Sequence, residues 1–401
     1  MKVVIAPDTF KETLAAGDVA AALAEGVLEA RPDAQIDLCP MADGGGGTVA
    51  AMVAATGGRL MTADVFGPLG EPVRAHFGML GVPMGAGLPG EVGLSAQAGL
   101  PAEEFHAGGE GATAVIEMAS ASGLPLVPAE RRDPLRTTTF GTGQLILAAL
   151  EAGARKIIIG IGGSATNDGG AGCAQALGVV FTDGSGRPCI CGLAGGGLAD
   201  VEGIDISGRD ERVAGATIRV ACDVTNPLTG PAGAAAVYGP QKGATPEVVA
   251  QLDANLRHFA EVIRRVMKVD VEQLPGAGAA GGLGAGLVAF AGARLEPGLP
   301  MIAQAVGLAR RLKGADLCIT GEGRLDRSSS FGKTAVGVSR IAAAAGVPVL
   351  CVPGQATPDA PAELFAAVHP LVAGEVTVQA AMRRTRELLR LRAAEAVRAR
   401  T

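Results

Sequence analysis

Residues 160–170 read Gly-Ile-Gly-Gly-Ser-Ala-Thr-Asn-Asp-Gly-Gly, directly after the apolar run Lys156-Ile157-Ile158-Ile159 and before a helix-like segment of small residues. A strand that runs into a turn this rich in glycine exposes backbone N–H groups, and no side chain blocks an anion from reaching them. Ser164, Asn167 and Asp168 add a hydroxyl, an amide and a carboxylate. The stretch reads as a cradle for a phosphate or another substrate anion, with Gly162, Gly163, Ser164 and Asn167 as its contacts. Two other readings stay open. Gly160-x-Gly162-x-x-Ala165 fits a loose dinucleotide fingerprint, with Asp183 at about the spacing of a ribose-binding acid. Alternatively, the glycines only let a helix pack closely on a sheet.

Four further segments place polar residues where predicted strands end, which is where open parallel sheets bind ligands. They are Asp8-Thr9-Phe10-Lys11, Met41-Ala42-Asp43-Gly44-Gly45, Asp223-Val224-Thr225-Asn226-Pro227 and Thr320-Gly321-Glu322-Gly323-Arg324-Leu325-Asp326. A single Asp in a loop is most often a turn former or helix cap. Recurrence at strand ends favours function. Anion loops, short carboxylates able to meet a hard divalent cation, and the cations Lys11, Lys242 and Arg324 are the parts that phosphoryl transfer needs. Asp168 and Asp223 are the expected oxygen ligands of a Mg2+ that bridges nucleotide phosphates. A P-loop is set aside, because Phe331-Gly332-Lys333-Thr334 supplies only its end and Arg327 stands where its first glycine belongs. Gly276-Ala277-Gly278-Ala279-Ala280-Gly281 follows Leu274-Pro275 rather than a strand. Its Gly278 and Gly281 are carried as phosphate-facing candidates at a helix N-terminus.

These residues must be positioned by alternating strands and helices. Lys2 to Ala6 predicts a strand, Asp18 to Ala30 a helix with Val19, Leu23 and Val27 on one stripe, and Ile36 to Cys39 a second strand. Asp316 to Thr320, Lys333 to Ala345 and Val347 to Val352 repeat strand, helix, strand. Parallel sheets covered by helices follow. Between Thr62 and Phe77 the pattern changes to two strands around Gly67-Pro68-Leu69-Gly70, and Ala114 to Met118, Lys156 to Ile159 and Ile218 to Cys222 supply further strands. The simple alternation resumes near Leu295. We therefore expect two α/β domains: a discontinuous one of residues 1–62 plus 295–401, and one of residues 63–294 inserted into it. Val82 to Gly111 reads as a surface loop rich in Gly, Ala and Pro.

With 401 residues, 48% of them hydrophobic, the chain can bury sizeable cores. The uncharged stretch from Gly276 to Ala293 is mostly Gly and Ala, and reads as a packed internal helix rather than a membrane span. The N-terminus lacks a signal-peptide pattern and the seven cysteines are scattered, mostly in apolar runs, so a cytoplasmic protein is expected. A net charge of −6 argues against nucleic acid as a partner. The arginines at 383, 384, 386, 390 and 392 fit a solvated amphipathic helix.

Together the segments resemble the type I glycerate kinases over nearly the whole chain. The resemblance rests on Ala6 to Lys11, Met41 to Gly45, Ile116 to Ala119, Gly160 to Gly172, Ala221 to Leu228, Gly239 to Ala244, Pro275 to Gly286 and Ile319 to Asp326. It implies a two-domain α/β protein, one domain Rossmann-like with a mostly parallel sheet and the second inserted into it, with the active site in the cleft between them. It implies ATP-dependent phosphorylation of D-glycerate with Mg2+, giving 2-phosphoglycerate. Glycerate needs a cation for its carboxylate and an acceptor for its attacking hydroxyl. Lys11 and Arg324 are the candidate cations, and Asp8, Asp43 and Asp168 the candidate acceptors. Lys242 and Glu322 are expected on the nucleotide. A homodimer is the assembly carried forward. The chain departs from the family at Gly46, which stands where a Glu is usual, at Ser328-Ser329 after Asp326, and at Ala335 in place of a usual Pro. The competing functions are a nicotinamide-dependent hydroxy-acid oxidoreductase and a non-catalytic glycerate sensor.

Overall fold

The computed structural model describes residues 1–81, 111–331 and 333–400. Except for Gly111, the expected Val82–Gly111 loop lies outside the described residues. Two larger sheets organise the chain. One has five strands, in the order Ala367–Val368, Val349–Cys351, Leu317–Thr320, Lys2–Ile5, Gln35–Leu38, with every neighbouring pair parallel. Its central strands are continuous apolar runs because both faces are covered. Val3 and Ile5 point to a core shared with the helices Ala16–Ala30 and Thr385–Arg398. Val4 and Ala6 point the other way, into a core with the helices Thr48–Thr56, Gly298–Ala305 and Thr334–Ala344.

The second sheet has six strands, in the order Arg294–Glu296, Thr217–Ala221, Ala154–Gly160, Ala112–Glu117, Pro72–Met79, Arg59–Phe66. The first four are mutually parallel and the last two join antiparallel, as the turn signal at 67–70 predicts. Ile116, Ile157, Ile159, Ile218 and Val220 bury one face under the helices Phe140–Glu151 and Leu283–Ala291. Val115 and Ile158 on the opposite face join the core of the first sheet through the helix Thr48–Thr56. That helix is buried from both sides, and so are Met52 and Val49 on it. The uncharged stretch ends in the buried helix Leu283–Ala291, and among the described residues no helix is long and apolar enough to cross a membrane. The strand Arg59–Phe66 crosses the expected junction at 62–63, and Arg294–Glu296 crosses the one at 294–295. The chain therefore passes between sheets at the turns flanking these strands.

The two sheets differ in one respect that bears on function. In the six-stranded sheet the chain moves in one direction from edge to edge. In the five-stranded sheet the connection from Lys2–Ile5 leads to Gln35–Leu38, while that from Leu317–Thr320 leads the opposite way to Val349–Cys351. The loops leaving the carboxyl ends of these two central strands flank this strand-order reversal, the usual ligand position in such sheets. Those loops carry Asp8 and Glu322.

Candidate active site

At the reversal the two loops are tied together by main-chain bonds, Ala6 N–H to Ile319 O and Asp8 N–H to Gly321 O, both 2.8 Å. Gly321 and Gly354 let the neighbouring loops approach, since a Cβ on either would come within 2.4 Å of a carbonyl oxygen. Asp8 Oδ1 accepts the Thr9 N–H at 2.6 Å, and Oδ2 accepts the Thr334 hydroxyl. Burial pushes the Asp8 carboxyl up to about 6, the Thr334 bond opposing and Asp43 adding to the push. Glu322 is 6% exposed and its Oε1 has no hydrogen-bond partner. Burial raises it to about 7, against the pull of Lys333 and Ser329. Asp326 holds Lys333 Nζ at 3.4 Å and Arg324 Nε at 3.2 Å. Lys11 is exposed beside these groups, its backbone against Gly323.

The loop Asp43–Gly47 carries this cluster across to the second sheet. Gly44 adopts φ +95, and a Cβ there would meet the Ala221 Cβ at 2.6 Å, while a Cβ on Gly160 would meet the Gly44 carbonyl at 2.5 Å. The glycines thus serve backbone-to-backbone docking of this loop on the carboxyl ends of two strands. Asp43 Oδ1 accepts the Gly45 N–H at 3.0 Å, and Asp223 Oδ1 accepts the Gly298 N–H at 2.8 Å. Partial burial raises the Asp223 carboxyl, and repulsion from Asp43 adds to it.

Within the glycine-rich turn the structure separates residues that sequence reading grouped. Gly162 and Gly163 are exposed, whereas Ser164, Asn167 and Asp168 are buried. Asp168, expected as acceptor and metal ligand, is an internal hub. Its Oδ2 accepts the Thr139 N–H and hydroxyl, each at 2.7 Å, and the Gly172 N–H at 3.3 Å, while Oδ1 accepts the Gly170 N–H at 3.1 Å. Burial pushes its carboxyl up and these four donors oppose. Lys242, expected to face a phosphate, is 1% exposed and donates to the Thr166 carbonyl at 2.6 Å. Desolvation pulls its ammonium down to about 7, with Asp168 resisting. Asn167 Oδ1 and Nδ2 and Thr166 Oγ1 are buried without partners beside it. Gly278 and Gly281 are buried there too: the Gly278 N–H bonds to Asn226 O, and a Cβ on Gly281 would strike the Thr166 carbonyl at 1.9 Å. Their expected exposure to a phosphate is not seen, because the loops close over each other.

Asp8, Lys11, Asp43, Glu322 and Arg324 therefore cluster around the strand-order reversal, with Asp223 beside the Asp43 loop. Lys333, Thr334 and Ser329 belong to the same cluster, and sequence reading passed over them. For Lys333 and Thr334 the sequence carries a signal, a Gly-Lys-Thr ahead of a helix, which the incomplete P-loop match hides. The dinucleotide fingerprint fails. Asp183 lies in a surface turn, bonded to Ser185 and Arg187, after a strand that pairs in a separate ribbon, whereas the parallel neighbour of Ala154–Gly160 is Thr217–Ala221. A ribose-binding acid needs that neighbouring position. Among the described residues no three His, Cys, Asp or Glu side chains converge as a self-sufficient metal cage. Mg2+ bound to a nucleotide needs only one or two carboxylates, and the opposed Asp43 and Asp223, each with one oxygen held by a backbone donor, fit that requirement.

Parallel sheets meeting over glycine loops, with clustered carboxylates and cations at a strand-order reversal, define an α/β ligand-binding architecture of the kind phosphoryl transfer uses. A model of the glycerate kinase family matches residues 3–401, and the chain belongs to that family. It is similar to the "Glycerate 2-kinase" of Escherichia coli strain K12, 50% identical over 90% of this chain and 86% of that one. It is also similar to the "Glycerate kinase" of Bacillus subtilis strain 168, 48% identical over 90% and 86% respectively. A crystal structure provisionally assigned to glycerate kinase 2 of Salmonella typhimurium LT2 superimposes with a TM-score of 0.85 at 46% identity, covering 100% of this chain and 98% of the other. The protein is a kinase, an activity that implies ATP as co-substrate.

Proposed function

We propose that this kinase transfers the γ-phosphoryl group of ATP to the 2-hydroxyl of D-glycerate in the crevice between the two sheets. The single observation that carries the reading is the gathering of Asp8, Glu322, Arg324, Lys333 and Lys11 at the strand-order reversal of a chain in the glycerate kinase family. The carboxylate of glycerate requires a cation, and Lys11 and Arg324 are the candidates to supply one. The exposed Gly162–Gly163 turn offers backbone donors to the nucleotide phosphates, while Asp168 and Lys242 fix the buried continuation of the segment through Gly170, Gly172 and Thr166. Asp43 and Asp223 would hold Mg2+, which supplies neutralisation of phosphate charge when bound. In a loose transition state such positioning and charge compensation do most of the work. The domain division into residues 1–62 plus 295–401 and 63–294, shifted by a few residues at each junction to keep strands whole, is proposed with it. The name of the Escherichia coli relative supports the 2-position.

The test couples ADP release to a fluorescent or absorbance readout with ATP, Mg2+ and D-glycerate, and passes the product to enolase. Direct consumption by enolase is expected for 2-phosphoglycerate. Consumption only after a phosphoglycerate mutase is added would refute the 2-position, and no ADP release would refute the reaction.

A further inference from the structure

We propose that Glu322 is the catalytic residue that accepts the proton of the reacting glycerate hydroxyl. The carboxylates of the cluster differ in which of their oxygens are free. Both oxygens of Asp168 accept protein donors, and so do both of Asp8, from Thr9 and Thr334. Asp326 spends Oδ1 on Ser328 and Lys333 and Oδ2 on Arg324. Asp43 and Asp223 each have one oxygen held by a backbone N–H, and Asp43 repels both Asp223 and Asp8. Glu322 Oε1 is different: it is buried and nothing in the protein bonds to it. A buried acceptor without a donor costs stability and persists where a ligand supplies the donor.

A substrate hydroxyl is such a donor. Glu322 follows the strand Leu317–Thr320 at the reversal, where the ligand is expected to lie. The charged and titratable groups facing it are Lys333 ahead of the helix Thr334–Ala344, Asp8 from the neighbouring strand end, Asp326 from its own loop and Cys351 from the adjacent strand. Ser329 bonds to it and steadies its orientation. Its burial keeps its proton affinity close to neutrality, where a base is most effective. In the step, the glycerate oxygen forms a bond to the γ-phosphorus as the bond from that phosphorus to the ADP oxygen breaks. The hydroxyl proton passes to Glu322, and from there to solvent once the products leave.

The inference rests on the glycerate kinase reading. Its test is the pH dependence of kcat/KM for glycerate in wild type and in Glu322→Gln, with melting and ATP-analogue binding as controls for the folded state. The wild type should show an acidic limb near pH 7, matching a Glu322 carboxyl raised to about 7. Glu322→Gln should lose that limb and about 100-fold in kcat with little change in KM, while Glu322→Asp keeps the limb at a reduced rate. An unchanged limb in Glu322→Gln, or a flat wild-type profile between about pH 5 and 8, overturns the assignment. Should Glu322→Gln fail to fold, wild-type enzyme carrying 13C-labelled glutamate carboxyls decides: a carboxyl titrating near neutrality that responds to glycerate supports the assignment, and its absence overturns it. A wild type that phosphorylates no glycerate defeats the glycerate kinase reading, whereas an active wild type with an unimpaired Glu322→Gln defeats only the role of Glu322.

Discussion

Glu322 stores a cost that can be read without any substrate. Its folded pKa, about 7, lies above the ordinary 4.5, so between those values the folded chain keeps a proton that the unfolded chain has released. The ionised, buried carboxylate therefore weakens the fold above about pH 7, and the penalty fades as the pH falls. Asp8, raised to about 6, acts in the same sense at slightly lower pH. Glu322→Gln should accordingly be more stable than wild type at about pH 8, by roughly 1–3 kcal/mol, with the gap closing toward about pH 5. Urea unfolding at several pH values measures it. Equal stability at the higher pH would mean that Lys333 and Ser329 fully offset the desolvation. Gained stability alongside lost activity is the mark of a residue that gives up stability for function.

At the scale of elements, the loop Asp43–Gly47 is the critical connector, and its glycines are not equivalent. Gly44 has φ +95 and sits 2.6 Å, measured from an added Cβ, from the Ala221 side chain. Gly44→Ala should cost about 1–3 kcal/mol and lower kcat/KM, because the displaced loop moves Asp43 away from Asp223. Gly46, where the family resemblance expects Glu, has nothing within 4 Å of an added Cβ and no positive φ. Gly46→Glu should leave stability within about 0.5 kcal/mol of wild type. Thermal melting and steady-state kinetics on the pair check both statements, and a Gly44→Ala protein with normal kinetics would show that the docking is dispensable. These outcomes mark what the glycine run conceals in one dimension. It reads as one flexible loop, yet only the approach of the second sheet decides which glycines are irreplaceable.

For the whole molecule, the buried Arg311 joins parts that are far apart in sequence. Its guanidinium bonds to Asp37 beside the edge of the five-stranded sheet, to the Ala55 carbonyl at the end of the helix Thr48–Thr56, and through Nε to Val306 O at 3.1 Å. That helix also carries the shared core with Val115 and Ile158 of the other sheet. Removing one partner of a buried, hydrogen-bonded charge leaves the others uncompensated. Arg311→Met should lower stability by about 3–5 kcal/mol, read from urea unfolding, and the loss should appear equally in signals from both sheets. A loss confined to one transition of two would show that the sheets unfold separately.

The sequence by itself determined the elements and the reaction class. Alternating apolar runs and amphipathic stretches fix strands and helices locally, and the glycine loops with Asp8, Asp43, Asp223 and Glu322 at strand ends single out the proposed phosphoryl-transfer residues, because both signals are written in near neighbours. Tertiary structure decided which of those groups cluster at the strand-order reversal. Asp168 and Lys242 look as reactive in sequence as Asp8 and Lys11, but exposure and partners depend on Thr139, Thr166 and Gly281, brought in from distant segments. The same holds for Lys333 and Thr334, whose local motif is an incomplete P-loop and whose place beside Asp8 arises only when the first strand inserts next to a strand more than three hundred residues later. Strand order is set by long-range burial of both sheet faces, and that burial puts the reversal between residues no local pattern connects.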